Sequence, residues 1–451
     1  MLALGSLQIA NLQRVPATAA MKHYHLAIRR IAKNVRDEDK RKHPATLAAT
    51  LLLSYFEVWS SDHAKWCKHL YGARILFREV DFREKSRRCL PAKRAQRRNR
   101  ERMQNDLGSL FAGYNQPEAS AGDEFDNVDV EILAHLMDQP LSGENYGVGI
   151  EIDENDANMP TDREIELYEH QRDLFWWNCK MDVYQSILGG TRLFMRFEDW
   201  LPCPPRAPIG RLDAIYGTFD HILLLLGRLS EFVSNDLPRK RKVHRGMMAG
   251  GPPGNSPPMF PGMLPTNGKV SAPMGFSPPR EPSPQSDNMD DTDLESATRA
   301  AMQQWEAIKD AFHMLRSRFG PEFEPLAAEF SDRRKTPFGM TVQYRTYSLA
   351  GIWMNYYMGL IHLHRAHPSM PPAAMMAAGR AAKDTAPYAI EIGRIAAGLV
   401  DSQVSVINDI TILQGAAFIE SCFPLFVAGI QVCLVPSFRG ECSVANVGCG
   451  K

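Results

Sequence analysis

Apolar residues recur along most of this chain at alternating steps of three and four, the spacing that gathers side chains on one face of an α-helix. In the N-terminal part Ala20, Tyr24, Ala27 and Ile31 make one such face. Leu47, Leu51, Tyr55 and Val58 make a second, and Trp66, Leu70, Ala73 and Phe77 a third. Farther on, Leu212, Ile215, Phe219, Ile222, Leu226, Leu229 and Val233 keep the period until just before Pro238. Leu294, Ala301, Trp305, Ile308, Phe312, Leu315 and Phe319 keep it until Gly320-Pro321. No run shows sustained alternation bounded by turn residues, so the pattern predicts an all-α chain.

Local start and stop signals sharpen these helices. Thr161-Asp162-Arg163-Glu164 reads as a capping box, and the helix it opens ends at Gly189-Gly190. Thr292 and Glu295 form a second such box. Continuous helices are expected over Arg163 to Leu188, Leu212 to Val233 and Thr292 to Phe319. Within the first, Trp176 and Trp177 are consecutive and therefore about 100° apart around the axis. Both are expected in the core, with one of them buried against a second layer or lining a pocket.

Charge is balanced overall, 52 Lys+Arg against 52 Asp+Glu, but segregated along the chain. From Arg83 to Arg102 there are ten Lys/Arg and only Glu84 and Glu101 as acids. From Met103 to Asp162 there is no Lys or Arg and there are fourteen acids. So acidic a block with few aromatics buries too little apolar surface to offset chain entropy, so 103–160 is expected to be mostly disordered, with FDNVDVEILAHLM as one short amphipathic helix. Leu237 to Asp291 holds twelve prolines and seven glycines, which reads as a linker. The expected layout is a helical part over 1–102 ending in the basic run, the acidic insertion 103–160, central helices over 161–236, the linker 237–291, C-terminal helices over 292–432 and an atypical tail over 433–451.

A balanced charge argues against a uniformly basic nucleic-acid binder, because attraction to phosphate needs an unbalanced field. The N-terminal stretch has no basic segment leading into an apolar run, so no secretory signal is expected. The most apolar window, Ala417 to Val435, carries Glu420, Pro424 and Gln431, which favours a buried helix over a membrane span. The eight cysteines (67, 89, 179, 203, 422, 433, 442 and 449) include no C-x-x-C pair and read as reduced core and loop thiols.

No catalytic residue, cofactor or metal site is expected. Nucleophile-elbow, zincin and dinucleotide fingerprints are absent, and the terminal GCGK lacks the parts of a phosphate loop. His362, His364 and His367 are the best metal candidates, but they stand without a carboxylate just before Pro368 and suit a helix C-terminus. The basic runs are more informative. Arg239, Lys240, Arg241 and Lys242 sit at the mouth of the linker, where an extended segment suits an importin groove. Lys85, Arg87, Arg88, Lys93, Arg94, Arg97 and Arg98 form two clusters around a Pro-containing spacer. Both runs are candidate nuclear localisation signals.

Several segments taken in order resemble a family. HYHLAIRRI, TLAATLLLSYFEVW and KHLYGARILFREVDF look like the opening of the fungal-specific transcription factor domain. RDLFWWNCKMDVYQSIL, RLDAIYGTFDHILLLLGRL, IHLHRAHPSMPPAAMM and YAIEIGRIAAGL extend the resemblance over most of 1–235 and 295–430. The resemblance implies a multi-helix regulatory domain acting on transcription in the nucleus, sensing a small molecule in some members, with importin and the transcription machinery as partners, a homodimer left open and no membrane. In that family six cysteines in an N-terminal zinc module contact DNA. This chain shows no such module, so DNA contact is expected only through a missing N-terminal part, and neither stoichiometric zinc nor site-selective DNA binding is expected of the chain itself. A helical interaction scaffold is the alternative, although no fixed repeat is seen. The tail CLVPSFRGECSVANVGCGK lacks helical period and cap, and is expected to come from an unspliced intron or a frameshift.

Overall fold

The three-and-four spacing of apolar side chains is realised as helix almost throughout. The computed structural model describes residues 1–111, 128–150, 159–249, 293–400 and 410–433, and the side chains of 104–111, 246–249 and 433 are not among those described. The described residues form thirteen α-helices. They are α1 (Leu2–Gln13), α2 (Thr18–Val35), α3 (Glu38–Arg41), α4 (Pro44–Trp59), α5 (His63–Arg78), α6 (Phe82–Phe111) and α7 (Val130–Met137). There follow α8 (Asp162–Gly189), α9 (Ile215–Ala249), α10 (Leu294–Ser317), α11 (Tyr347–Ala366), α12 (Ala374–Gly398) and α13 (Ile412–Cys433). Among the described residues strand is confined to the antiparallel pair β1 (Lys335–Thr336) and β2 (Gly339–Met340), in which Lys335 faces Met340 and Thr336 faces Gly339. The chain divides into two compact units, one made of 1–186, 193–228 and 315–320, the other of 187–192, 229–314 and 321–451.

In the first unit, α1, α2 and α4 close around Ala3, Leu7, Ala20, Tyr24, Leu53 and Phe56. Tyr24 stacks on Phe56 with centroids 4.6 Å apart, and its hydroxyl lies 2.9 Å from His69 Nε2 on α5. The predicted α5 face is fully realised, with Trp66, Leu70, Ala73 and Phe77 all buried. α1 was not legible in the sequence, since its apolar residues point in several directions. Ala3, Leu7 and Ala10 go inward while Leu2, Ile9 and Leu12 stay exposed.

The Thr161 box operates as read. The Thr161 hydroxyl accepts from the Glu164 amide at 3.3 Å, and Glu164 Oε2 accepts from the Thr161 amide at 2.8 Å. The helix it opens, α8, buries Ile165, Tyr168, Phe175, Trp176, Cys179 and Val183, which lie on more than one face. A helix apolar on several sides packs in the middle of a unit. On α9, Ile222, Leu223, Leu224, Leu225 and Leu226 are likewise all buried, and helix begins at Ile215 rather than Leu212.

Beside these lies a buried carboxylate. Asp182 accepts from the amides of Phe194 and Met195, each at 2.8 Å, and from the Gln185 side chain at 2.9 Å, which fastens the segment after α8. Burial pushes its carboxyl up to about 6, against the pull of the two amides. Because the folded value exceeds the unfolded one, the group's contribution is fully present at low pH and is lost as pH rises through about 6. Lowering the pH from about 7 to about 5 is expected to add about 1 kcal/mol through this group. Urea unfolding of the native chain and of Asp182→Asn at both pH values checks this, because the variant lacks the increment. Equal pH slopes for the two proteins would contradict it.

The edges of the two expected insertions differ from the structure, while the short helix expected within the first is present as α7. The acidic stretch 103–160 contains the end of α6 as far as Phe111, then α7, then a 3₁₀ turn over Gly143–Tyr146. Packing overrides its polar composition: Leu133, Leu136 and Tyr146 are buried in the first unit, and Asp129 caps α7 by accepting from the Ile132 amide at 3.0 Å. Arg228 holds the other end of α7, donating to the Leu136 carbonyl at 3.0 Å and to Asp138 at 2.9 Å. Gly147, with φ +69°, lets the chain pass flat over Pro91 of α6, where a Cβ would lie 2.8 Å from the ring. Residues 112–127 and 151–158 of this stretch lie outside the described residues.

The second difference is at Pro238. Helix α9 continues through it to Ala249, where the sequence reading placed the start of the linker at 237. A proline removes one backbone bond, but here the turn it interrupts is anchored by side chains. Asp236 pairs with Arg239, and Arg239 also donates to the Thr298 hydroxyl at 3.2 Å and the Pro368 carbonyl at 2.8 Å. The rest of the linker, 250–292, lies outside the described residues, as does Thr292 of the second capping box.

In the second unit α11 packs on α12 and α13, and α12 on α13. Indole N–H groups tie helices to neighbouring backbone, Trp305 to the Leu363 carbonyl at 2.9 Å and Trp353 to the Phe323 carbonyl at 2.7 Å. Gly393 of α12 is a close-approach site, since a Cβ there would meet the Phe338 ring at 2.6 Å. α13 is apolar and long enough to cross a membrane. In this unit Arg365 donates to Gln431 at 2.9 Å, and the Gln431 amide donates to the Ala378 carbonyl at 2.8 Å. Ile412, Leu413 and Phe426 of α13 remain exposed. The tail 434–451 lies outside the described residues.

Candidate functional site

A stripe of polar residues on α6 faces a stripe on α8. On α6, Lys93, Gln96, Arg97 and Arg100 fall at i, i+3, i+4 and i+7, one helical face, and on α8 Glu169, Arg172 and Asp173 do the same. The helices run antiparallel, so Lys93 meets Glu169 at 2.5 Å and Gln96 reaches Asp162 at 2.8 Å. Arg206 and Tyr216 supply a third wall. The groove enclosed in the first unit has a volume of about 800 Å³, in the range of sites for small molecules.

Charge is fixed in place around it. Arg206 donates through Nε and Nη2 to Asp220 at 3.0 and 2.7 Å, and through Nη1 to Asp173 at 3.3 Å. Asp220 is fully buried; burial pushes its carboxyl up while Arg206 pulls it down, leaving it above the usual carboxylate range. The Arg206 guanidinium lies 5.2 Å from the Tyr216 ring centroid. Arg172 is 5% exposed and stands 5.4 Å from the Tyr168 ring centroid, so its plane is set by packing. Arg97 has Glu101 at 3.6 Å, and Arg100 is exposed at the rim. Five cationic side chains line the groove against two carboxylates.

The residues singled out as nuclear localisation candidates are separated by the fold. Lys93 and Arg97 belong to the groove. Lys85 is part-buried and donates to Gln171 at 2.7 Å, and Arg94 donates to the Gly147 carbonyl. Arg87, Arg88 and Arg98 are exposed on α6, a continuous helix rather than two clusters around a spacer, because Pro91 is accommodated within it. The second run needs a larger correction. Arg239, Lys240, Arg241 and Lys242 are helical, not extended, and Arg239 and Lys240 are each 7% exposed in the second unit. Lys240 donates to the Ala366 carbonyl at 2.8 Å, and burial draws its ammonium down to about 8 against the pull of Asp236.

Of the tryptophan pair, Trp176 is core and donates to the Pro204 carbonyl at 3.0 Å, while Trp177 is half-buried beside Tyr55 with centroids 5.5 Å apart. His362 is half-buried and its imidazole is pushed down to about 3 by burial, with Arg365 and Lys240 adding to the effect. His367 instead meets the Trp305 ring at 4.6 Å and the Ser369 hydroxyl at 2.7 Å. Among the described residues no group of three or more His, Cys, Asp or Glu is placed to hold a metal ion. Cys89, Cys179 and Cys203 are buried free thiols, and burial pushes each upward.

The groove itself escaped sequence reasoning. Its α6 half reads in the sequence as a candidate nuclear localisation signal, and the partner stripe on α8 lies roughly seventy residues away, where only the packing reveals it.

No curated protein and no solved structure matches the chain. The family resemblance read from the first group of segments is found directly, whereas the later segments lie beyond the matched range. The matched family is one of transcription regulators rather than enzymes. Residues 1–110, which carry α1 to α5 and nearly all of α6, match the family model of the fungal specific transcription factor domain.

Proposed function

We propose that this chain is a regulatory helical domain that controls transcription in the nucleus without itself reading DNA. The observation that carries this is the family match over 1–110, which coincides with a continuous run of helices packed in the first unit. The cysteine spacings support the second half of the reading: without a C-x-x-C pair the chain has no local means to fix a recognition helix through zinc. Its balanced charge supports it too, since attraction through the α6 arginines is local and fades as salt rises.

Nuclear entry through the exposed arginines of α6 fits the structure better than entry through the 239–242 run, whose first two residues are buried. The full chain fused to a heterologous DNA-binding domain is expected to change a reporter several-fold, and a fluorescent fusion to accumulate in nuclei. Arg87→Gln, Arg88→Gln and Arg98→Gln together are expected to return the fusion to the cytoplasm. An unchanged reporter would favour an interaction scaffold instead, and a triple variant that stays nuclear would remove the import role of α6.

A further inference from the structure

We infer that the groove between α6, α8 and the Arg206–Tyr216 wall binds a small molecule carrying a phosphate group. Three observations lead there. First, the cavity is large enough for a metabolite, at about 800 Å³, and is lined by more cations than carboxylates. Walls of low dielectric focus such a field into the cleft and raise the local concentration of anions. Secondly, the cations come from opposite walls, Arg97 and Arg100 from α6 and Arg172 from α8. An anion with two or more charges can therefore be contacted from both sides, and guanidinium forks match the oxygens of a phosphate two at a time.

Thirdly, the site is built rather than incidental. Arg172 is an almost completely buried charge held over Tyr168, and Arg206 is fixed by three bonds to Asp220, two from its guanidinium and one from its own amide at 2.9 Å. Arg206 in turn holds Asp173, as Lys93 holds Glu169, so both lining carboxylates are already matched by cations. Side chains held this way lose little freedom when a ligand arrives. The remaining lining groups, the Gln96 amide and the Tyr216 ring, offer a hydrogen-bonding edge and a flat surface to the uncharged part of the ligand. This inference stands apart from the regulatory role above, because it is read on the purified chain.

Titration calorimetry of the full chain with pyrophosphate, adenosine monophosphate and citrate, each at matched ionic strength, is the test. Saturable binding of the two phosphate compounds is expected in the native chain. Arg97→Gln with Arg100→Gln is expected to weaken it by roughly 10-fold. Arg29→Gln with Arg30→Gln removes the same charge from an exposed face of α2 and is expected to leave binding unchanged. Far-UV circular dichroism of each variant confirms that the helices persist. Equal weakening in both double variants would show diffuse charge attraction and overturn the site. Binding of citrate alone would overturn the phosphate assignment, and no saturable binding by any of the three would overturn the inference entirely.

Discussion

Arg239→Ala is expected to destabilise the second unit by about 3–5 kcal/mol, the cost of leaving one partner of a buried ion pair alone. The guanidinium donates to both oxygens of Asp236, at 2.5 and 2.9 Å, while also serving the Thr298 hydroxyl and the Pro368 carbonyl. Without it the Asp236 carboxylate stays out of water, with only the Lys240 ammonium at 3.7 Å as compensation. Three points of anchorage for the end of α9 vanish together, in a turn already weakened by Pro238. Urea unfolding should show the loss as a lower midpoint at an unchanged slope. Arg239→Lys should recover only part of it, because an ammonium cannot serve two carboxylate oxygens and two further acceptors in one plane. A loss below about 1 kcal/mol would mean that the pair is solvated and that burial is not what holds this turn. The same argument governs localisation experiments: alanine across 239–242 unfolds before it informs, so the exposed α6 arginines are the ones to change.

Trp176→Ala should cost about as much, 3–5 kcal/mol on the order of other large-to-small core changes, whereas Trp177→Ala should cost roughly 1 kcal/mol. The two residues are chemically identical and adjacent. Trp176 is 1% exposed, meets Phe175 edge-on at 5.8 Å and satisfies its indole N–H on the Pro204 carbonyl. Trp177 keeps part of its surface in water beside Tyr55. Removing the first leaves a cavity and an unpaired carbonyl; removing the second largely exchanges ring surface for solvent. Thermal and urea unfolding of the two single variants give the comparison. Similar losses at both sites would contradict the assignment of one to the core and the other to its edge.

The sequence by itself determined the helical class and the limits of α8, because those are local matters. The Thr161–Glu164 box, the Gly189-Gly190 stop and the three-and-four period of α5 each lie within a few residues, and each is present where it was expected. The opening segments also carried the resemblance that the family match over 1–110 repeats. What only the tertiary structure decided were the features that join distant residues. α9 passes Pro238 because Thr298 and Pro368 hold the turn beyond it, and no local rule contains them. The helix α7 was expected from its own apolar residues, but its closure by Arg228, some ninety residues on, was not. The basic run of α6 reads as a localisation signal until α8 lies antiparallel beside it, when Lys93 and Arg97 become one wall of a groove. Period and capping are set by neighbours in sequence; which face meets which partner is set by the sum of apolar burial over the whole unit, and that sum is not written in any one segment.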